Sequence, residues 1–204
     1  DRALGSLTYT QFLNETAGIE SDVTVCRIAK DHFRIISGTS FVSNDIGWIK
    51  MHAQKGYDVS IKDVTNEFAC LSLFGPNARK VLKKILDIEI SNEAFGYSEY
   101  KEFKIKDTIP ARAMRLGFVG ELSYELHLPS SYMKAVWIML KEAGKEFNIQ
   151  NFGVEAQNVL RMEKCHIILG QESEQRTNLL DLGLGFLWDR SKAEAKTVGA
   201  VALR

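Results

Sequence analysis

Two short β-rich runs, Val23 to Ile28 and Phe33 to Ser37, flank the polar stretch Ala29-Lys30-Asp31-His32, and together they predict a hairpin. Ser43-Asn44-Asp45 then supplies N-cap chemistry and an acidic first turn. Ile46, Ile49 and Ala53 follow at helical spacing, and Gly56 is placed to stop that helix. Tyr57, Val59 and Ile61 alternate with polar residues, a strand pattern, and Phe68 to Phe74 reads as a second strand, more fully buried. Gly75-Pro76 ends that strand and opens a helix whose apolar face is Ala78, Val81, Leu82 and Ile85. Arg112 to Gly117 and Ser123 to Leu128 form another strand pair around a Gly120-Glu121 turn. Pro129-Ser130 opens a long helix with Tyr132, Ala135, Val136, Met139, Leu140 and Ala143 on one face, and a further helix runs from about Val154 to Lys164. Strands and helices are mixed, with hairpins as well as crossovers, so the expected class is α+β, built from split β-α-β units packed together.

Composition narrows the function. The 204 residues carry 26 Lys plus Arg and 26 Asp plus Glu, a net charge of zero, so the basic excess that advertises a nucleic-acid binder is missing. Lys80, Lys83 and Lys84 read as a solvated helix face. Cys26, Cys70 and Cys165 are far apart and lack Cys-x-x-Cys spacing, which argues against a disulfide framework and a zinc site and fits a reducing compartment. No apolar run reaches the roughly 20 residues of a membrane span. The chain has three prolines and no low-complexity segment, so no strong internal boundary is expected. Residues 1–190 are read as one domain. Residues 191–204 end in an apolar segment and are read as the start of a connection to a further C-terminal domain.

General catalytic patterns are sparse. No Gly-x-Gly-x-x-Gly follows a strand, so a dinucleotide fingerprint is missing, and Gly183-Leu184-Gly185 is a lone Gly-x-Gly. His32, His52, His127 and His166 have no metal-ligand spacing, so no metal is expected. No Ser or Cys sits in a nucleophile elbow.

Four segments carry more information together than apart. Tyr9-Thr10-Gln11-Phe12-Leu13-Asn14, followed by Gly18-Ile19-Glu20-Ser21-Asp22-Val23-Thr24-Val25, resembles the first folate-site motif of the glycine-cleavage T-protein (aminomethyltransferase) family. It is closest to the branch fused to dimethylglycine and sarcosine dehydrogenases. Phe74-Gly75-Pro76-Asn77-Ala78 resembles that family's helix start. Gly117-Phe118-Val119-Gly120-Glu121-Leu122-Ser123-Tyr124-Glu125-Leu126 is similar to its hairpin, and Leu160-Arg161-Met162-Glu163-Lys164 to its following helix. Gly170-Gln171-Glu172, Thr177 and Leu182-Gly183-Leu184-Gly185 are similar to the form in sarcosine oxidase large subunits and dimethylglycine dehydrogenases.

The resemblance implies a T-protein-like folate-binding domain with tetrahydrofolate as its one-carbon acceptor. It assigns Glu125 to the pterin edge, where a ring N–H beside an amino group matches a carboxylate through two charge-assisted hydrogen bonds. It assigns Asp22 to catalysis, orienting the reacting nitrogens, accepting a proton and stabilising developing positive charge. Tyr9 and Phe118 suit the walls of a pterin slot and equally suit core packing. Arg161 and Glu163 read first as a structural ion-pair system. Several positions depart from the family pattern. Gln157 holds the place of an Arg that meets the folate in T-proteins, Ser21 replaces the first of two adjacent acids, Val119 replaces a Thr and Cys165 a Gly.

The implied activity is capture of a one-carbon unit from dimethylglycine or sarcosine as methylene-tetrahydrofolate. FAD would lie only in a separate domain of a parent protein, and a bacterial cytoplasm or the mitochondrial matrix would house it. Partners would be folate, a small methylated amine or iminium and an FAD-bearing domain or subunit, with no nucleic acid and no membrane. A free-standing T-protein and a non-catalytic regulatory module of the same fold remain as alternatives.

Overall fold

Strands and helices are mixed in the computed structural model, as the α+β class requires; it describes residues 2–53, 56–189 and 197–203. The strands are β1 (Leu7–Leu13), β2 (Ile19–Ala29), β3 (His32–Ile36), β4 (Phe68–Phe74), β5 (Tyr100–Ile105), β6 (Ile109–Met114) and β7 (Ser123–Pro129). The α-helices are α1 (Val42–His52), α2 (Ala78–Lys83), α3 (Met133–Gly144) and α4 (Val154–Glu163). Two compact units divide the chain. The first comprises Asp1–Leu7, Arg27–Lys30 and Val64–His166, and the second Thr8–Cys26, Asp31–Asp63 and Ile167–Arg204. Each unit gathers separate stretches of sequence, which is why no linker marks a boundary.

The sheet β1-β2-β3 belongs largely to the second unit, and β2 and β3 are the expected hairpin pair. On β2 Ile19, Ser21 and Val23 are buried, and Glu20, Asp22 and Thr24 share the half-buried other face, the two-residue period of a strand. The β1–β2 turn is organised by Asn14. Its Oδ1 accepts from the backbone N–H of Thr16 and Gly18, and its Nδ2 donates to Glu20 and to the carbonyl of Gln175. Gly18 has no room for a side chain: an added Cβ would lie 1.7 Å from the Gln175 carbonyl oxygen. The first motif is therefore partly a folding motif, with Asn and Gly fixing the turn that aims β2. Ala17, Ile19, Leu169, Leu179 and Leu203 form this unit's apolar cluster. The expected connection over 191–204 lies partly outside the described residues; residues 198–203 form turns, and Leu203 packs into that cluster.

Helix α1 departs from expectation at both ends. It begins at Val42 after a short 3-10 turn, Thr39–Phe41, with Phe41 at the N-cap and no side-chain cap, so Ser43 and Asn44 lie inside the helix. It ends at His52, where Ala53 turns extended, before Gly56 is reached. The strand expected at Tyr57, Val59 and Ile61 does not form: 57–61 has no regular structure, and Tyr57 and Val59 are exposed. Alternation supplies a face but not a hydrogen-bonding neighbour, and without one a strand has no ladder.

The sheet of the first unit runs β4-β7-β6-β5 with antiparallel neighbours throughout. The β4–α2–β5 connection spans it, leaving β6 and β7 between β4 and β5. Strand β7 is central. Its Tyr124, Leu126 and Leu128 are fully buried and share a core with Val81 and Leu82 of α2 and Val136 and Leu140 of α3. Each such Leu contributes about 1.5–3 kcal/mol by leaving water. Ser123, Glu125 and His127 stand on the opposite face, as the period predicts.

Helix α2 starts at Ala78 with Asn77 at its N-cap, so Pro76 lies just outside the helix rather than in its first turn; Ala78, Val81, Leu82 and Ile85 are all buried. In α3 the buried stripe narrows to Val136, Leu140, Ala143 and Gly144, while Tyr132 and Ala135 are exposed; Tyr132 falls in the 3-10 turn Ser130–Tyr132, and the α-helix begins only at Met133. Strand β4 keeps its expected bounds but is half-buried, with Leu73 its buried residue. The β5–β6 hairpin has no turn signature in sequence. Lys106 and Asp107 both adopt left-handed backbone there (φ 50° and 58°), a role usually held by Gly or Asn.

Candidate functional site

In the second unit, adjacent strands bring Tyr9 and Asp22 together. The Tyr9 hydroxyl donates to the Asp22 Oδ2 at 3.1 Å. Burial pushes the Asp22 carboxyl above its ordinary value, the Tyr9 hydrogen bond pulls it back, and the negative charge of Asp45 raises it again. Tyr9 itself is held above the usual phenol range by burial and by the Asp22 charge. Asp22 is thus a half-buried carboxylate with one phenolic donor and raised proton affinity, the condition of a general base brought toward its working pH.

Asp45 escaped the sequence reading as a site residue. It occupies the first turn of α1, as an acidic residue there should, yet it is 3% exposed, and neither carboxylate oxygen has a hydrogen-bond partner among the described residues. In sequence it is one more N-terminal acid. Only the packing of α1 shows that it is buried within range of Asp22.

In the first unit, Glu125 faces out from the middle of β7 with its side chain 26% exposed, and His127 Nε2 lies 3.4 Å from its Oε2. The β4 register sets Cys70 opposite His127 and Ser72 opposite Glu125. Phe118 stacks on the His166 ring, with centroids 5.8 Å apart and planes at 24°. The Phe118 carbonyl accepts from His166 Nδ1 at 2.6 Å, which fixes that tautomer. Gly120 has φ +81°, and a Cβ there would meet the Lys164 side chain at 2.8 Å, so the hairpin and helix motifs pack on one another.

Gln157 lies on α4 and borders an open cleft of about 610 Å³ in the same unit, beside Phe74, Gly75, Phe152 and Gly153. Arg161 is buried. Its Nε donates to Asn158 and its Nη1 to the His166 carbonyl, while Glu163 is exposed. Arg161 therefore clamps the C-terminal turn of α4. Of the sequence-derived residues, Tyr9 and Asp22 meet in the second unit, and Glu125, Phe118 and Gln157 belong to the first.

The model of the family described as "GCVT N-terminal domain" matches residues 1–192. The chain belongs to this family. The mitochondrial dimethylglycine dehydrogenase of Homo sapiens is 34% identical over 202 residues, covering 98% of this chain and 23% of that protein. The aminomethyltransferase of Clostridium botulinum (strain Loch Maree / Type A3) is 32% identical over 201 residues, covering 96% of this chain and 52% of that protein. The chain thus spans about a quarter to a half of the curated relatives it matches. The crystal structure of glycine cleavage system aminomethyltransferase T from Bartonella henselae superposes with a TM-score of 0.80 over 98% of this chain and 52% of that one, at 24% identity, and so shares the fold. The GCVT N-terminal domain fold is what sets Asp22 and Glu125 on their strands. No helix among the described residues is long and apolar enough to cross a membrane.

Proposed function

We propose that this GCVT N-terminal domain binds tetrahydrofolate and helps to capture a one-carbon unit from dimethylglycine or sarcosine as methylene-tetrahydrofolate. The observation that carries the reading is the Tyr9–Asp22 pair: a half-buried carboxylate, held by one donor at 3.1 Å, with its proton affinity raised. The acceptor set fits the ligand, because a reduced pterin presents N–H donors and the site residues offer carboxylates. Tetrahydrofolate supplies the nucleophilic nitrogens. Asp22 orients them, takes up the proton released and stabilises the positive charge that develops. By the family resemblance alone, Glu125 is assigned to the non-reacting edge through charge-assisted hydrogen bonds, and Phe118 and Gln157 to the rest of the binding set.

The likeness to dimethylglycine dehydrogenase supports a parent protein with a separate FAD-bearing domain or subunit, in a bacterial cytoplasm or the mitochondrial matrix. In that reading residues 1–190 are the folate-binding part and 191–204 lead into a further domain. The likeness to the Clostridium botulinum aminomethyltransferase supports the alternative of a free-standing transferase.

The test is Asp22→Asn in the full-length parent, assayed for methylene-tetrahydrofolate formation above the spontaneous reaction of formaldehyde with tetrahydrofolate. The expected result is near-normal folate affinity with a rate reduced roughly 10²–10⁴-fold. Lost binding with an unchanged rate at saturating folate would make Asp22 a binding residue and overturn the mechanism.

A further inference from the structure

The outer face of the β4–β7 pair gathers three donors of different chemistry. Cys70 Sγ lies 3.7 Å from His127 Nε2, His127 Nε2 lies 3.4 Å from Glu125 Oε2, and all three ligand atoms fall within 4.8 Å of one another. The cause is the register: Cys70 and His127 are directly opposed, and Glu125 precedes His127 by two residues on the same face. Cys70 and His127 are 57 positions apart in the chain, so no ligand spacing could announce them. The absence of a metal, expected from the lack of ligand spacing, rested on proximity in sequence and does not reach donors brought together by strand pairing.

We infer that Cys70, Glu125 and His127 form a binding site for a borderline-soft divalent cation, Zn²⁺ foremost. Zinc bonds of about 2.3 Å to sulfur and about 2.0–2.2 Å to nitrogen and oxygen, set at the tetrahedral angle, place sulfur about 3.5 Å from nitrogen and nitrogen about 3.4 Å from oxygen. The observed 3.7 and 3.4 Å match that spacing before any ion has drawn the ligands in. The mixed thiolate, imidazole and carboxylate set suits zinc and excludes magnesium and calcium, which take oxygen ligands. Three protein donors leave a fourth position of a tetrahedral ion for water or another ligand, the arrangement of an open site.

The electrostatics fit a cation as well. Glu125 brings a carboxylate to within 4.8 Å of the sulfur and the imidazole nitrogen, which favours a cation at this point. Cys70 is a free cysteine, and a free thiol is mostly protonated at neutral pH. Binding exchanges that proton for the metal: the Cys70 S–H bond breaks, a sulfur–metal bond forms, and one proton passes to solvent. All three donors stand on the paired strands β4 and β7, so the ligands are placed by backbone pairing rather than by a loop.

Occupation would also take Glu125 away from any other partner. Zn²⁺ and reduced folate should then exclude one another; this consequence rests on the proposed role of Glu125, whereas the metal site does not.

The probe is Co²⁺, titrated into the reduced, chelator-treated full chain. The expected result is one equivalent bound, with thiolate-to-cobalt charge-transfer absorption in the near ultraviolet and tetrahedral bands in the visible, bleached by Zn²⁺. Cys70→Ser, at an exposed position, should abolish the charge-transfer band while circular dichroism stays native, and Cys165→Ser should keep it. His127→Gln should weaken affinity by more than the roughly 10–100-fold lost with a mere outer partner. A wild-type titration without charge transfer, or a band that survives in Cys70→Ser, overturns the site. Repeating a tetrahydrofolate titration with and without Zn²⁺ then separates the two readings. Metal binding with unchanged folate affinity overturns the exclusion alone, and no folate binding in either state overturns the folate reading and leaves the metal site standing.

Discussion

At Asp22 burial and hydrogen bonding pull in opposite directions, and the balance is open to measurement. Its proton affinity is raised by burial, lowered by the Tyr9 hydroxyl and raised again by Asp45. If Asp22 acts as a base, activity needs the ionised form, so the acid limb of the rate profile lies above the ordinary carboxylate pKa of about 4. Tyr9→Phe removes the larger of the two hydrogen bonds that favour the charged form, the other coming from the backbone. The limb should therefore move to still higher pH, with rates converging in the alkaline plateau; a shift to lower pH, or none, would contradict the assignment. Glu125→Gln acts differently. It leaves shape intact and replaces an anionic acceptor with a neutral one, worth about 1.5–3 kcal/mol. Folate affinity measured by calorimetry should fall roughly tenfold to a hundredfold, with little change in Tm. Normal binding would reduce Glu125 to a strand residue. At this scale the sequence was legible where the period of a strand decides a face, as at Glu125. It was silent where tertiary packing decides, as at Asp45, whose acidic side chain reads as surface until α1 buries it, and at Cys70 and His127.

Turns separate the legible elements from the illegible ones. The β6–β7 connection carries Gly120 in left-handed backbone and was readable; the β5–β6 turn uses Lys106 and Asp107 in the same backbone region and was not. The opposite error occurred at 57–61, where a strand pattern has no partner strand. The Asn14–Gly18 turn should be the most sensitive element of the first motif. Gly18→Ala forces a Cβ against the Gln175 carbonyl and should cost about 1–3 kcal/mol, lowering Tm by about 2–12 °C. Gly47→Ala is the matched control. Gly47 is exposed within α1 with nothing within 4 Å of an added Cβ, so Ala should stabilise by roughly 0.5–1 kcal/mol through helix propensity. Equal effects at the two positions, read by thermal unfolding, would refute the packing argument for the motif.

For the whole molecule, the α+β class followed from mixed periodicities, whereas the division into two interleaved units left no mark on composition, because each unit is assembled from three separate stretches. The family resemblance was legible from four motifs and holds across residues 1–192. The central functional claim is that this chain is a reduced-folate domain and carries no flavin of its own. Titration calorimetry of the chain with tetrahydrofolate, and separately with FAD, tests it most directly. The account predicts saturable heat with tetrahydrofolate, diminished in Glu125→Gln, and none with FAD. Tight FAD binding with no folate signal would contradict it.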